Sequence, residues 1–291
     1  MVTCPMSGPI TCPPPGLSRR SFLGLASATI GLWASRSWAH PVAGRDLPPE
    51  PALLNPFERE HLPSLLVPAA TANAGKVPIV VEMIHPMTPD HHVMRVRLVN
   101  ARAPAAPLGV FHLTPGSGRV YLALQARLPP GLTELRVTAE CNRHGAWSSH
   151  QRIEVEEEGG GCSGAGLAVK RTEGDDLHPP EIRIPELVRR GRIVRDEVIH
   201  PQVKIRHPSR AAEADDEGST LEPFYLQELA VRYCDEHVSR LEMTSALSDD
   251  PFIGFALLAR REGPLAVRFV DNRGQRFEAT HEIRFSTEPP G

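Results

Sequence analysis

The sequence predicts an all-β chain: two immunoglobulin-like antiparallel β-sandwich domains joined by a Gly-rich linker. Three observations carry the prediction. Short segments rich in Val, Ile and Leu recur with period-two alternation, and turn signals separate them roughly every 8 to 12 residues. A stretch of glycine and charge with little that could form a core divides them into two sets. A length of 291 residues leaves room for two domains of ordinary size, each with its own core.

Residues 1–39 stand apart from the fold. Ser18-Arg19-Arg20-Ser21-Phe22-Leu23 is a twin-arginine signature, followed by an apolar run to Ala34 and a small-residue exit at Ser37-Trp38-Ala39. The segment reads as an export signal cleaved near Ala39. Its apolar run is too short to cross about 30 Å of hydrocarbon comfortably, so no membrane span is expected after its removal. Taking Arg19, Arg20 and Arg36 from the 32 basic groups leaves 29 against 35 acidic ones, a balance of −6 in a soluble, periplasmic protein. Acids and bases are interspersed, with no basic stripe to neutralise phosphates, which argues against nucleic acid as a partner.

Residues 40–60 are rich in proline and polar side chains and read as an extended tether that ends at the first histidine of interest. The first sandwich is expected over residues 61–158, with strands at 76–83, 93–99, 110–113, 120–126, 135–139 and 150–155 and a turn at Pro115-Gly116-Ser117-Gly118. Residues 159–180 form the Gly-rich arm and linker. The second sandwich, residues 181–286, is expected from strands at 181–184, 198–206, 226–233, 238–243, 253–258, 265–270 and 277–283. In the last two, Leu265, Val267 and Phe269, then Phe277, Ala279, His281 and Ile283, each mark one face. Asp271-Asn272-Arg273-Gly274 between them is a hairpin turn. Cys234 is expected inside an alternating strand as a small core residue.

Five residues suggest a metal site. His61 in His-Leu-Pro, His85 and His91 in His-Pro-Met-Thr-Pro-Asp-His, and Cys141 and His144 in Cys-Asn-Arg-His-Gly supply four imidazoles and one thiolate. Both donor types suit a first-row metal of intermediate softness, and five of them leave a sixth position open. Non-haem iron, one per chain, is the expected cofactor, although zinc and copper bind such ligands at least as tightly. With Cys4 and Cys12 removed in the signal, the mature chain keeps Cys141, Cys162 and Cys234, an odd number in an oxidising compartment.

These motifs, in this order over about residues 55 to 150, resemble the ferrous centre of the superoxide reductases of the desulfoferrodoxin and neelaredoxin family. That resemblance implies four imidazoles in a plane, the Cys141 thiolate on the axis and superoxide reduced at the open face. This chain departs from the family at the mouth of the site, where Glu60 takes the place of a lysine that attracts the anion; Arg59 beside it is the expected compensating cation.

A second resemblance involves Cys162 in Gly159-Gly160-Gly161-Cys162-Ser163-Gly164, whose glycines give the thiol an unpacked, freely moving backbone. With Val77-Pro78-Ile79, the His85 to His91 block and residues 111–118, it resembles SoxY, the sulfur-carrier subunit of periplasmic thiosulfate oxidation. Gly191, His200 to Pro208, residues 226–233, Ser248-Asp249-Asp250-Pro251-Phe252 and residues 271–274 resemble its companion SoxZ. The resemblance implies that Cys162 holds a sulfur intermediate covalently, with periplasmic Sox-type enzymes and c-type cytochromes as partners. A linker thiol without duty, or a disulfide from Cys162 to Cys141, is the competing use, and the disulfide would consume the thiolate ligand. Two functions follow: a fused SoxYZ-like carrier with a mononuclear Fe(His)4(Cys) redox centre, or a superoxide reductase with a SoxZ-like docking domain. A metal-stabilised structural partner of another redox enzyme is the third.

Overall fold

Alternation of apolar and polar residues in the sequence reappears as alternation of burial along the strands. The structure, a computed structural model, describes residues 45–46, 54–102, 107–156, 177–211, 213–214 and 220–286. The export signal expected over 1–39 and the Cys162 arm up to residue 176 lie outside the described residues.

In chain order the first half comprises β1 (Arg45–Asp46), α1 (Pro56–His61), β2 (Ser64–Leu66), β3 (Ala70–Thr71), β4 (Val77–Met83), β5 (Val93–Asn100), β6 (Pro107–Leu113), β7 (Val120–Ala126), β8 (Gly131–Cys141) and β9 (Gly145–Val155). The second half comprises β10 (His178–Arg183), α2 (Pro185–Arg190), β11 (Glu197–Ile199), β12 (Gln202–Arg206), β13 (Glu213–Ala214), β14 (Thr220–Leu221), β15 (Leu226–Tyr233), β16 (Glu236–Met243), β17 (Phe252–Phe255), β18 (Leu257–Ala259), β19 (Gly263–Asp271) and β20 (Arg276–Ile283). The architecture is all-β with antiparallel pairing between the long strands, as the period-two pattern predicts.

Two sheets hold most of these strands, and each draws on both halves of the sequence. One runs β1-β9-β8-β5-β6-β16-β15-β19-β20, with β3 also on β9; the other runs β10-β12-β17-β7-β4-β2. The halves are joined where β6 meets β16, from Leu113 opposite Ser239 to Gly109 opposite Met243, and again where β7 meets β17. Inward residues of both sheets, among them Ile79, Leu98, Phe111, Val137, Phe255 and Phe269, form a shared core and are almost fully buried. Removing such side chains from water is the main stabilising term.

The turn expected at residues 115–118 is a 3₁₀ turn, Pro115–Ser117, which Thr114 caps by accepting from the Gly116 N–H. Gly118 ends it at φ 68°, and a Cβ there would stand 2.8 Å from Leu258 Cβ and 2.9 Å from Val198 Cγ2. A first-half turn thus rests directly on second-half strands. The hairpin at 271–274 forms as expected: Asp271 Oδ1 accepts the N–H groups of Arg273 and Gln275. Asp271 and His207 are both fully buried, with His207 Nε2 3.6 Å from Asp271 Oδ2 and Nδ1–H donating to the Pro208 carbonyl. Burial pushes the His207 imidazole below its ordinary 6.5, against the pull of the Pro208 carbonyl and Asp271.

Several elements differ from expectation for identifiable reasons. The tether expected over 40–60 contains helix α1 at its end, because Asn55 and Glu58 form a capping box around Pro56. The strands expected at 135–139 and 150–155 extend to a continuous hairpin, β8 and β9, in register from Gly131 opposite Val155 to Cys141 opposite Gly145. Segments 198–206 and 253–258 each divide into two strands. Cys234 is not in a strand; it sits half-buried in the turn between β15 and β16 at φ 47°. Strand β10 begins at His178, inside the expected linker.

Candidate metal centre

Strand periodicity delivers the sulfur. Thr133, Leu135, Val137, Ala139 and Cys141 are the inward positions of β8, so the last inward side chain of that strand is the thiol. Gly145, at φ 75°, closes the tight turn into β9 and leaves Asn142, Arg143 and His144 at its tip. His85 arrives by the same logic, since Met83, the last residue of β4, and His85 and Met87 beyond it are all buried. His91 lies on the loop before β5, in a turn where Thr88 and His91 exchange backbone hydrogen bonds. His61 is the last residue of α1 and is buried.

The five predicted side chains converge. Ligand atoms of His61, His91, Cys141 and His144 all lie within 4.8 Å of one another. His85 stands against them, its ring centroid 4.9 Å from that of His61 and 4.5 Å from that of His91. His61 Nε2 and His144 Nδ1 are 2.8 Å apart, and Cys141 Sγ is 3.7 Å from His144 Nδ1. Two nitrogens at right angles about a common first-row ion, each about 2.1 Å from it, would stand about 3 Å apart.

Orientation also favours a metal. A carbonyl can only accept, so His61 Nδ1–H donates to Phe57 O at 2.7 Å and His85 Nδ1–H to Pro86 O at 2.6 Å. Each ring therefore keeps its Nε2 lone pair for the cluster, the usual outer-shell arrangement of metal-binding histidines. His85 Nε2 and His91 Nε2 are buried and have no hydrogen-bond partner. An orphaned buried acceptor is costly, and a cation among these atoms would satisfy both. Burial pushes His85 down to about 4, with the Pro86 carbonyl opposing and the neighbouring His61 and His91 adding to the fall. His91 is lowered by burial, then by His144 and His61. Neutral imidazoles are the ligating form. The residues thus fit a metal of the N/S-binding type.

Several supporting residues were not expected from the sequence. Phe57, one helical turn before His61, packs on the rings of His61 (4.3 Å), His144 (5.0 Å) and Trp147 (5.7 Å). Trp147 is buried and donates Nε1–H to the His144 carbonyl at 3.2 Å. The Arg143 N–H points at Cys141 Sγ at 3.4 Å, the kind of contact that stabilises a thiolate. Asn142 joins the two ligand loops: its Oδ1 accepts the His92 N–H and its Nδ2 donates to Asp90 O. The spacing of Phe57 and His61, four apart, was a findable signal once the capping box was read.

Of the predicted mouth residues, Glu60 is close enough to raise the proton affinity of both His85 and His91. Arg59 is exposed and its Nε donates to Leu54 O at 2.9 Å.

Fold and site together define an all-β protein with a His/Cys cluster of metal-ligand type at one end of its first half. Residues 56–162 match the family model described as sulfur oxidation protein SoxY, and residues 188–282 match that of sulphur oxidation protein SoxZ. Segments that match the two models thus follow one another in one polypeptide. No curated protein matches it. Among solved structures, a variant of the superoxide reductase (neelaredoxin) of Ignicoccus hospitalis is 23% identical, covers 34% of this chain and 82% of its own, and has a TM-score of 0.31. A protein described as a candidate superoxide reductase from Thermotoga maritima is also 23% identical, over 35% of this chain and 92% of its own, with a TM-score of 0.29. Overlaps this partial carry no chemistry, and the metal reading rests on the cluster's own geometry.

Proposed function

We propose that this chain is a periplasmic SoxYZ-like carrier in thiosulfate or sulfide oxidation, which holds a sulfur intermediate on Cys162 and carries a mononuclear Fe(His)4(Cys) centre. The observation that supports it most is the pair of family matches on one chain, the SoxY match ending at Cys162 and the SoxZ match following it. Carrier function needs a reactive thiol outside the packed core, and the glycines around Cys162 supply that in sequence. Its partners are then the periplasmic Sox-type enzymes that load and oxidise the bound sulfur, with c-type cytochromes accepting electrons. Export by the twin-arginine route fits the signature at Arg19-Arg20, and no helix among the described residues is long and apolar enough to cross a membrane.

His61, His85, His91, Cys141 and His144 would hold the metal. Iron bound there would supply a one-electron couple. The chain's own residues prepare the site for it: carbonyls of Phe57 and Pro86 fix two imidazole tautomers, and the Arg143 N–H steadies the thiolate. Phe57 and Trp147 pack against the His61 ring and steady its orientation.

Intact-mass analysis after incubation with thiosulfate and the conjugating enzymes tests the carrier. An adduct on the wild type that is absent in Cys162→Ala is expected, and an unchanged mass in both proteins refutes it. Elemental analysis of protein exported by its native host is expected to show one iron per chain.

Superoxide reduction is the second reading, favoured by the His61, His91, Cys141 and His144 cluster with His85 against it and opposed by Glu60 near the cluster. Pulse-radiolysis decay of superoxide on the ferrous protein no faster than on Cys141→Ala excludes it.

A further inference from the structure

Residues 189–195, Arg-Arg-Gly-Arg-Ile-Val-Arg, hold four arginines and no acid in a chain whose formal net charge is −3. Two carboxylates hold this stretch in shape. Glu197 pairs with Arg190 through one oxygen and accepts the Val194 N–H with the other, at 3.2 Å, while the buried Glu186 of α2 accepts the His200 N–H and Nδ1–H. The turn between α2 and β11 is thereby clamped at both ends, and Ile193 anchors it in the core. Arg195 is held as well: its Nη1 donates to Arg260 O at 3.3 Å, and its guanidinium lies 5.3 Å from the Phe285 ring centroid. Arg260, the first residue after β18, thus joins the same surface. Among the described residues no carboxylate pairs with Arg189, Arg192 or Arg260. Asp196, exposed in the same turn, is the opposing charge. Val188 and Val194, 60% and 49% exposed, directly precede Arg189 and Arg195.

We propose that this clamped arginine turn, with Arg260 beside it, is a docking surface for an acidic face on the enzyme that loads Cys162, a proposal that rests on the carrier reading above. Guanidinium groups without a carboxylate of their own meet the partner's acids, and the two valines add a small apolar centre. Because the backbone is already fixed, association orders little that was free. A membrane surface is the poorer fit, since two exposed valines offer little apolar area to a headgroup layer.

The test measures initial rates of adduct formation on Cys162 by the conjugating enzyme, read by intact mass over a range of concentrations of the full chain. At low salt, the double variant Arg189→Gln, Arg192→Gln is expected to raise KM for the carrier about 10-fold and Arg260→Gln about threefold, with kcat within about twofold in both. The double variant Arg189→Lys, Arg192→Lys keeps both charges and is expected to stay within about threefold of wild type. Arg276→Gln removes the same charge at the opposite end of β20 from Ile283 and is expected to leave KM unchanged. The rises shrink at about 0.5 M salt. A KM in the first two variants no higher than in Arg276→Gln overturns the docking surface and leaves the carrier reading standing, and so does a rise that persists at high salt, which marks a structural effect. Unchanged KM together with sedimentation on phosphatidylglycerol vesicles that the glutamine double variant loses overturns it in favour of a membrane. Wild-type protein that forms no adduct overturns the carrier reading and the docking surface with it.

Discussion

Replacing Asn55 with alanine removes the side-chain half of the capping box at the start of α1: Asn55 Oδ1 no longer accepts the Glu58 N–H, now 2.9 Å away, and the return bond from the residue 55 N–H to Glu58 Oε2, at 3.0 Å, loses its reciprocal partner. The box is solvent-exposed, so its loss costs about 1 kcal/mol, in the middle of the range for such caps. A helix of six residues is far below the length at which helices persist alone, so α1 is held by its cap, by Phe57 on the rings of His61 and Trp147, and by whatever His61 binds. In metal-free protein the weakened helix frays, and metal binding must then restore it. A cost of about 1 kcal/mol corresponds to about a fivefold loss of metal affinity. Competition titration with a chromophoric chelator measures it on wild type, Asn55→Ala and Asn55→Asp. The aspartate variant keeps the cap and is expected to bind within about twofold of wild type. Equal affinity in all three proteins, or equal loss in both variants, would refute the link between the cap and the site.

Gly118→Ala forces a Cβ into Leu258 and Val198 at a positive φ, and is expected to destabilise the whole molecule by about 2 kcal/mol or more, read from the urea midpoint. A second transition in the variant would mean instead that only one half feels the contact. His207 sets a pH dependence: its folded pKa lies below the ordinary 6.5, so the unfolded chain binds the proton more readily and stability falls as pH drops below about 6.5. His207→Gln is expected to flatten the slope of unfolding free energy between about pH 6.5 and 5 by at most one proton's worth, about 1.4 kcal/mol per pH unit. An unchanged slope would show that His207 is protonated equally in both states.

The contrast between what was legible and what was not follows the range of the interactions involved. Period-two alternation is a local signal, and it located nearly every long strand, although the strand expected at 135–139 runs on to Cys141. The residues of the His/Cys cluster were legible because each occurs in a short, distinctive block. Helix α1 was missed because the prolines of the stretch before His61 marked it as irregular, although Pro56 at the first helical position is favourable. Cys234 was misplaced by the apolar run before it; its left-handed backbone is fixed by the turn between two strands, and it lies against Gly263, where an added Cβ would stand 2.6 Å from the sulfur. Arg59, nominated by its place beside Glu60, turns instead to the Leu54 carbonyl, which order along the chain could not show.

The seam between β6 and β16 constrains how the molecule is made. On a ribosome β6 emerges with β5 already available, but its other edge must wait for Ser239 to Met243. Until then the first half exposes an unpaired strand edge, buried in the finished protein and prone to pair with other nascent chains. Long-range pairing of this kind is slow, so folding is gated by the last third of the sequence. A chain stopped before β16 would contain every residue of the His/Cys cluster and still lack the neighbour that completes its sheet.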